Sequence, residues 1–153
     1  MSSPENYVFD AQNLGNYPPG VSAWAALQIP MRQQTFTNLA ASDDDAIKTS
    51  IASSTSTVTY SGAALNGAIG SGAISPPRNI LITTAGGTPA DAPATATITG
   101  LAIDGSAQTE TINVAQTATT AAGVKAFASV SSIALSAGDG TDATLKFGTG
   151  NVV

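Results

Sequence analysis

The chain has no cysteine and no histidine. The first absence removes disulfides, thiolate metal sites and thiol nucleophiles together, and it favours folding in a reducing compartment. The second removes the Ser-His-Asp and Cys-His arrangements of nucleophilic catalysis. Charge is scarce as well: Asp, Glu, Lys and Arg make up 10% of the 153 residues, against roughly 25% in an ordinary globular protein. The five basic residues, Arg32, Lys48, Arg78, Lys125 and Lys146, are scattered and the net charge is −5. No basic patch forms, which argues against nucleic acid as a partner. Aromatics reach only 5%, so a thin core that gains by burying area against partner chains is expected. No apolar run approaches the ~18 residues of a membrane span, and no membrane association is expected. The start, MSSPENYVFD, lacks the basic and apolar segments of a secretory signal. Asn-x-Ser/Thr acceptors are missing too.

What is there divides in two. Residues 1–41 hold most of the large rings, Tyr7, Phe9, Tyr17, Trp24 and Phe36, among Asn, Gln and a Tyr17–Gly20 YPPG turn. No helical or alternating period persists in this stretch. Pro18, Pro19 and Pro30 oppose regular structure, although Val21–Ile29 fits a short helix capped by Ser22. The segment reads as an N-terminal arm that packs its aromatics onto another surface, and those five residues are its candidate anchors. An irregular cap on its own domain is the alternative.

Residues 42–153 read as a β-rich domain. Ser42 and Asp45 have capping-box spacing, and Ile47 and Ile51 lie four apart, which predicts one short helix near 43–50. From about residue 57 the pattern alternates. Asn66-Gly67 predicts a two-residue hairpin turn. ISPPRNILITT predicts one proline-fronted strand with Ile80 and Ile82 on one side, and GGTPADAP (86–93) a loop. Further strands are expected over 94–103, 108–115, 126–135 and 144–147.

The stretch from Ala96 to Phe127 shows the register problem in detail. Pairing Ile98 with Ile112 and Ala96 with Val114 puts the apolar side chains on one face. Asp104, Gly105 and Ser106 then form a three-residue connection between Ile103 and Ala107, with Gly105 left-handed. Leu101 and Ile103 have the wrong parity for the core, so a bulge at Gly100 is expected to switch their face. Thr95, Thr97, Thr99, Thr109 and Thr111 cover the other face as a hydroxyl ladder.

Chemistry-bearing constellations are weak. A Ser-Lys pair using Lys48 or Lys125 has no supporting motif. Glu110 is the only Glu beyond the arm, which disfavours two-carboxylate hydrolysis. GDGTDA (138–143) matches G-x-G-x-x-A formally, yet a strand rather than a helix follows, so it reads as a turn. Asp43, Asp44 and Asp45, and the pair Asp139 and Asp142, lack EF-hand spacing. They read as a helix cap and a turn, with a weak calcium site at Asp139–Asp142 left open. No catalytic residue, cofactor or structural metal is assigned.

The order of strand and turn signals from Ser75 to Gly148 resembles a β-domain of tailed-bacteriophage virion structural proteins. The carrying features are PRN entering a Thr/Val/Ile strand, TITG..IDG...TETI, GVKAF.SV.SI and a closing G...TLKFG. The resemblance covers about half the chain, and nothing up to Gly72 contributes to it. It implies a mainly β fold, a small antiparallel β-sandwich or barrel, here preceded by the extended arm and one short helix. It also implies a non-enzymatic capsid decoration or cement protein, made in the bacterial cytoplasm and carried on the capsid surface. The major capsid protein would be its partner, and a homotrimer its state. A tail, head–tail connector or fibre component of the virion, or a carbohydrate-binding surface module, are the alternatives.

Overall fold

The computed structural model describes residues 41–114 and 119–151. Within them, β-branched and small residues build two antiparallel sheets. Strands β1 (Asp43–Ala52), β9 (Thr144–Thr149), β4 (Ile80–Ala85) and β7 (Thr120–Ala122) form the first, in that order. The second runs β2 (Val58–Ser61), β8 (Phe127–Leu135), β5 (Thr95–Leu101) and β6 (Ala107–Asn113). β3 (Ala73–Arg78) lies along the first half of β8, end to end with β2 on its second half. The chain changes sheet repeatedly, so the domain is held by pairings between residues distant in sequence.

One apolar cluster joins the sheets. Ile47, Ile80, Ile82, Leu145 and Phe147 enter it from the first, and Ile74, Ala96, Ile98, Ile112, Phe127, Val130 and Ile133 from the second. Alternation explains the selection: β4 buries Ile80, Ile82 and Thr84, and β5 buries Ala96, Ile98 and Gly100. Two phenylalanines and seven isoleucines are buried in it. This mainly β, sandwich-like arrangement agrees with the expected class.

The expected helix at 43–50 is a strand. A spacing of four suits a helix, but four is even, so Ile47, Thr49 and Ile51 also share strand parity. Their β-branched side chains favour that outcome. Pairing with β9 decides it, through registers such as Lys48 opposite Phe147 and Ile51 opposite Leu145. Irregularities in that ladder bury Ala46, Ile47 and Lys48 in succession. Ser42 and Asp45 make no capping box; instead the Asp45 N–H donates to Asp43 Oδ1 over 3.1 Å.

Asn66-Gly67 is not a hairpin turn either. It lies in an irregular β2–β3 connection, where the Gly67 N–H donates to Ile47 O and the Ile69 and Gly70 N–H groups to Ala46 O. This connection covers the free edge of β1. ISPPRNILITT splits at Asn79 into β3 and β4, which belong to different sheets. Pro76 and Pro77 lack the N–H that a ladder needs, and β3 meets β8 only at Ala73–Ser129 and Arg78–Phe127.

The β5–β6 hairpin exists with a register two residues from the one expected. Ala96 faces Ile112, Ile98 faces Glu110 and Leu101 faces Ala107. The connection is Ile103–Gly105, closed by Ala102 N–H to Ser106 O and by Gly105 N–H to Ala102 O. Gly105 has φ of 81°, the left-handed residue of a three-residue loop. A slip of two preserves parity, so the core face and the Thr face keep their members. The irregularity near Gly100 is also present, but the extra residue belongs to β8: Thr99 faces Ser132 and Gly100 faces Val130. It does not switch the face of the following residues. Leu101 stays 43% exposed and Ile103 79%.

Candidate interaction surfaces

The outer face of the second sheet follows directly from the register. Across β2, β8, β5 and β6, one row reads Thr59, Ala134, Thr97 and Thr111, and the next Ser61, Ser132, Thr99 and Thr109. All eight side chains are exposed or half-buried. The Thr97 and Thr111 hydroxyls meet at 3.1 Å, and Ser131 Oγ donates to Thr99 O. The two rows contain no charge. The expected hydroxyl ladder is therefore part of a four-strand surface rather than of a hairpin alone.

Glu110 has the opposite parity and points inward. It is 8% exposed, and its Oε1 accepts from the Val124 N–H at 2.7 Å and the Lys125 N–H at 3.3 Å. It pins the β7–β8 turn against β6. Lys125 returns the tie, with Nζ donating to Thr109 O over 2.7 Å. By capping a carbonyl of the edge strand β6, this lysine also discourages pairing with a foreign strand.

The first sheet carries a different surface. Ala41, Ser42, Asp43, Asp44, Leu81, Thr83 and Thr120 line an open groove of about 530 Å³. The carboxylates of Asp43, Asp44 and Asp45 approach within 4.8 Å of one another. Lys146 answers two of them, with Nζ 3.3 Å from Asp44 Oδ2 and 3.7 Å from Asp45 Oδ2. Its hydrogen bond to Asp44, with the charge of that carboxylate, raises the Lys146 pKa above its ordinary value. Asp43 accepts from the Asp45 N–H. These acids form a solvated cluster with a lysine counter-ion, not the helix cap that the sequence suggests.

Beside the groove, Arg78 ends β3 in a buried position. Its Nη1 donates to Ala41 O at 3.3 Å and Gly150 O at 3.4 Å, while Nη2 is buried without a partner among the described residues. Neighbouring Asn79 donates from Nδ2 to Gly123 O. The chain thus enters and leaves the described domain around one polar node.

Lys48 and Lys125 do not meet a serine: Lys48 Nζ donates to Asn66 Oδ1 and Lys125 Nζ to Thr109 O. GDGTDA is a loop, as expected. Its Gly138 and Asp139 N–H groups donate to Ser54 O and Ala90 O. Asp139 and Asp142 belong to no three-carboxylate grouping among the described residues. The arm anchors Tyr7, Phe9, Tyr17, Trp24 and Phe36 lie outside the described residues. Comparison with protein families, curated proteins and solved structures returned no match.

The inward turn of Glu110, the burial of Arg78 and the Lys48–Asn66 contact do not follow from the sequence patterns above. Parity signalled the first, because Glu110 lies two residues from Ile112 on the core face. The other two depend on long-range pairing and left no local signal.

Proposed function

We propose that this chain is a virion structural protein of a tailed bacteriophage, a capsid decoration protein that clamps neighbouring major capsid subunits. The observation that carries the reading is the charge-free hydroxyl face of β2, β8, β5 and β6, a broad surface with neutral polar groups and no reactive constellation. Such a face works through contact area and hydrogen bonding, as a clamp on a shell requires. The sequence resemblance from Ser75 to Gly148 supports the same reading. On it, the protein sits on the outer shell as a homotrimer at local threefold positions, and the arm supplies the aromatic anchors.

Particles assembled without the protein provide the test. Purified protein added to them should bind at saturating stoichiometry and raise the temperature at which the shell opens. Binding to tails alone would move the assignment to a tail or connector part. Retention on host polysaccharide with no binding to particles would make it a carbohydrate-binding module.

A further inference from the structure

We propose that Lys48 and Asn66 join through an intramolecular isopeptide bond, making Asn66 a site of self-catalysed modification. The inference does not depend on the virion reading. Lys48 sits in the irregular part of β1 and is only 8% exposed. Its Nζ donates to Asn66 Oδ1 over 2.9 Å and lies 5.2 Å from the centre of the Tyr60 ring. Among the described residues the ion pairs are those of Lys146, so no carboxylate holds the Lys48 amine. Thr49 Oγ1 donates to the same amide oxygen over 3.0 Å. Both donors draw electron density from Cγ, and once Nζ has attacked, the Thr49 hydroxyl remains placed to stabilise an oxyanion there. Cγ lies one carbonyl bond, about 1.23 Å, from that oxygen, so the amine is within roughly 4 Å of Cγ and a small side-chain rotation brings it into attack range.

Asn-Gly has a competing nucleophile, the backbone nitrogen of the following glycine. Here the Gly67 N–H is held by Ile47 O at 3.0 Å. A Cβ at Gly67 would strike the carbonyl oxygens of Asp45 and Ala46, so this backbone is clasped against β1 and kept from closing a succinimide. Lys48 faces no such restraint.

The reaction balances without an oxidant or co-reactant. One ammonium proton first passes to solvent at the exposed side of Asn66. The freed Nζ lone pair then attacks Cγ, the Nζ–Cγ bond forms, and the Cγ–Nδ2 bond breaks. Of the two protons left on Nζ, one stays on the new secondary amide and one passes to the departing NH2, which regains the first from solvent and leaves as ammonium. The product replaces a buried charge by a neutral amide, which removes a desolvation cost. It also ties β1 of one sheet to the β2–β3 connection of the other across 18 residues of chain.

The test is mass spectrometry of the purified full chain after storage at neutral pH. The intact mass should fall short of the sequence mass by one ammonia. Trypsin should not cut after the acylated Lys48, leaving Gln33–Arg78 as one fragment with the same deficit. Lys48→Arg and Asn66→Ser should restore the full mass, and Arg at position 48 should be cleaved. A deficit of one ammonia with normal cleavage after Lys48 would mean a succinimide and overturn the proposal. Full intact mass with complete cleavage after Lys48 in the folded wild-type protein would overturn it as well, whatever the variants do.

Discussion

Gly105 shows how much one residue settles. Its φ of 81° lies where an L side chain is strained, yet a Cβ there meets nothing within 4 Å. Substitution therefore tests backbone conformation alone, free of steric clash. Gly105→Val should cost on the order of 1–2 kcal/mol, and Gly105→Asn clearly less, because Asn tolerates the left-handed region. Thermal unfolding checks both, and an unchanged melting temperature in the valine variant would refute the turn assignment.

The preceding acid gives a pH prediction at the same scale. Asp104 accepts from the Ser106 hydroxyl at 2.7 Å and the Ser106 N–H at 2.9 Å, and these bonds lower its pKa below the ordinary value of 3.8. The folded value lies under the unfolded one, so its contribution is complete above pH 3.8 and fades as pH falls through the lower, folded value. The carboxylate is fully exposed, so the effect is on hairpin order more than on global stability. A carbon-detected NMR titration should place its midpoint below 3.8, and Ser106→Ala should move it upward.

Among the elements, β1 and the β5–β6 hairpin show what sequence patterns carry and where they stop. The hairpin's existence, its three-residue loop with a left-handed glycine and its two faces were all legible from Ala96 to Phe127. Its register was not, because a slip of two leaves every face unchanged. Local alternation cannot distinguish the two pairings. What separates them is the inward Glu110, which finds the Val124 and Lys125 N–H groups only in the observed register. β1 failed differently. Its three acids and its Ile47–Ile51 spacing satisfy a helix and a strand equally, and the deciding partners, β9 and residues 67–70, are far away in the sequence.

The core contact of β1 is directly testable. Ile47 is fully buried beneath the β1 backbone that Gly67 clasps, whereas Ile51 is only half-buried. Ile47→Ala should cost about 2–5 kcal/mol and Ile51→Ala distinctly less. A helix at 43–50 would expose both on one face and make the losses similar. Denaturant unfolding of the two variants, with hydrogen exchange on β1, distinguishes these cases.

For the whole molecule, the described domain manages its sheet edges by several devices. Residues 67–70 cover β1, and β7 is only three residues long. Lys125 caps a carbonyl of β6. Short, covered or charged edges oppose strand-to-strand aggregation, which leaves the faces as the surfaces for partners. An anchoring arm would complement such a domain. Aromatic anchors dominate interface energetics, and truncating a central one commonly costs ~2 kcal/mol or more. An arm of ~40 residues reaches on the order of 100 Å when fully extended, enough to cross onto a neighbouring subunit. Its ordering opposes binding, so the contacts must be numerous. The polar node fixes where the arm should be cut. Arg78 uses Ala41 O as one of its two acceptors and, among the described residues, already has an unpartnered Nη2, so removing Ala41 would deepen a buried deficit and confuse misfolding with lost anchoring. Deletion of residues 1–40 should leave a domain with native circular dichroism and cooperative unfolding that no longer binds particles lacking the protein. Trp24→Ala in the full chain should give a partial loss. Full occupancy by the truncated domain would move the anchor from the arm to the hydroxyl face of β2, β8, β5 and β6, where Thr97→Lys and Thr111→Lys would then abolish binding.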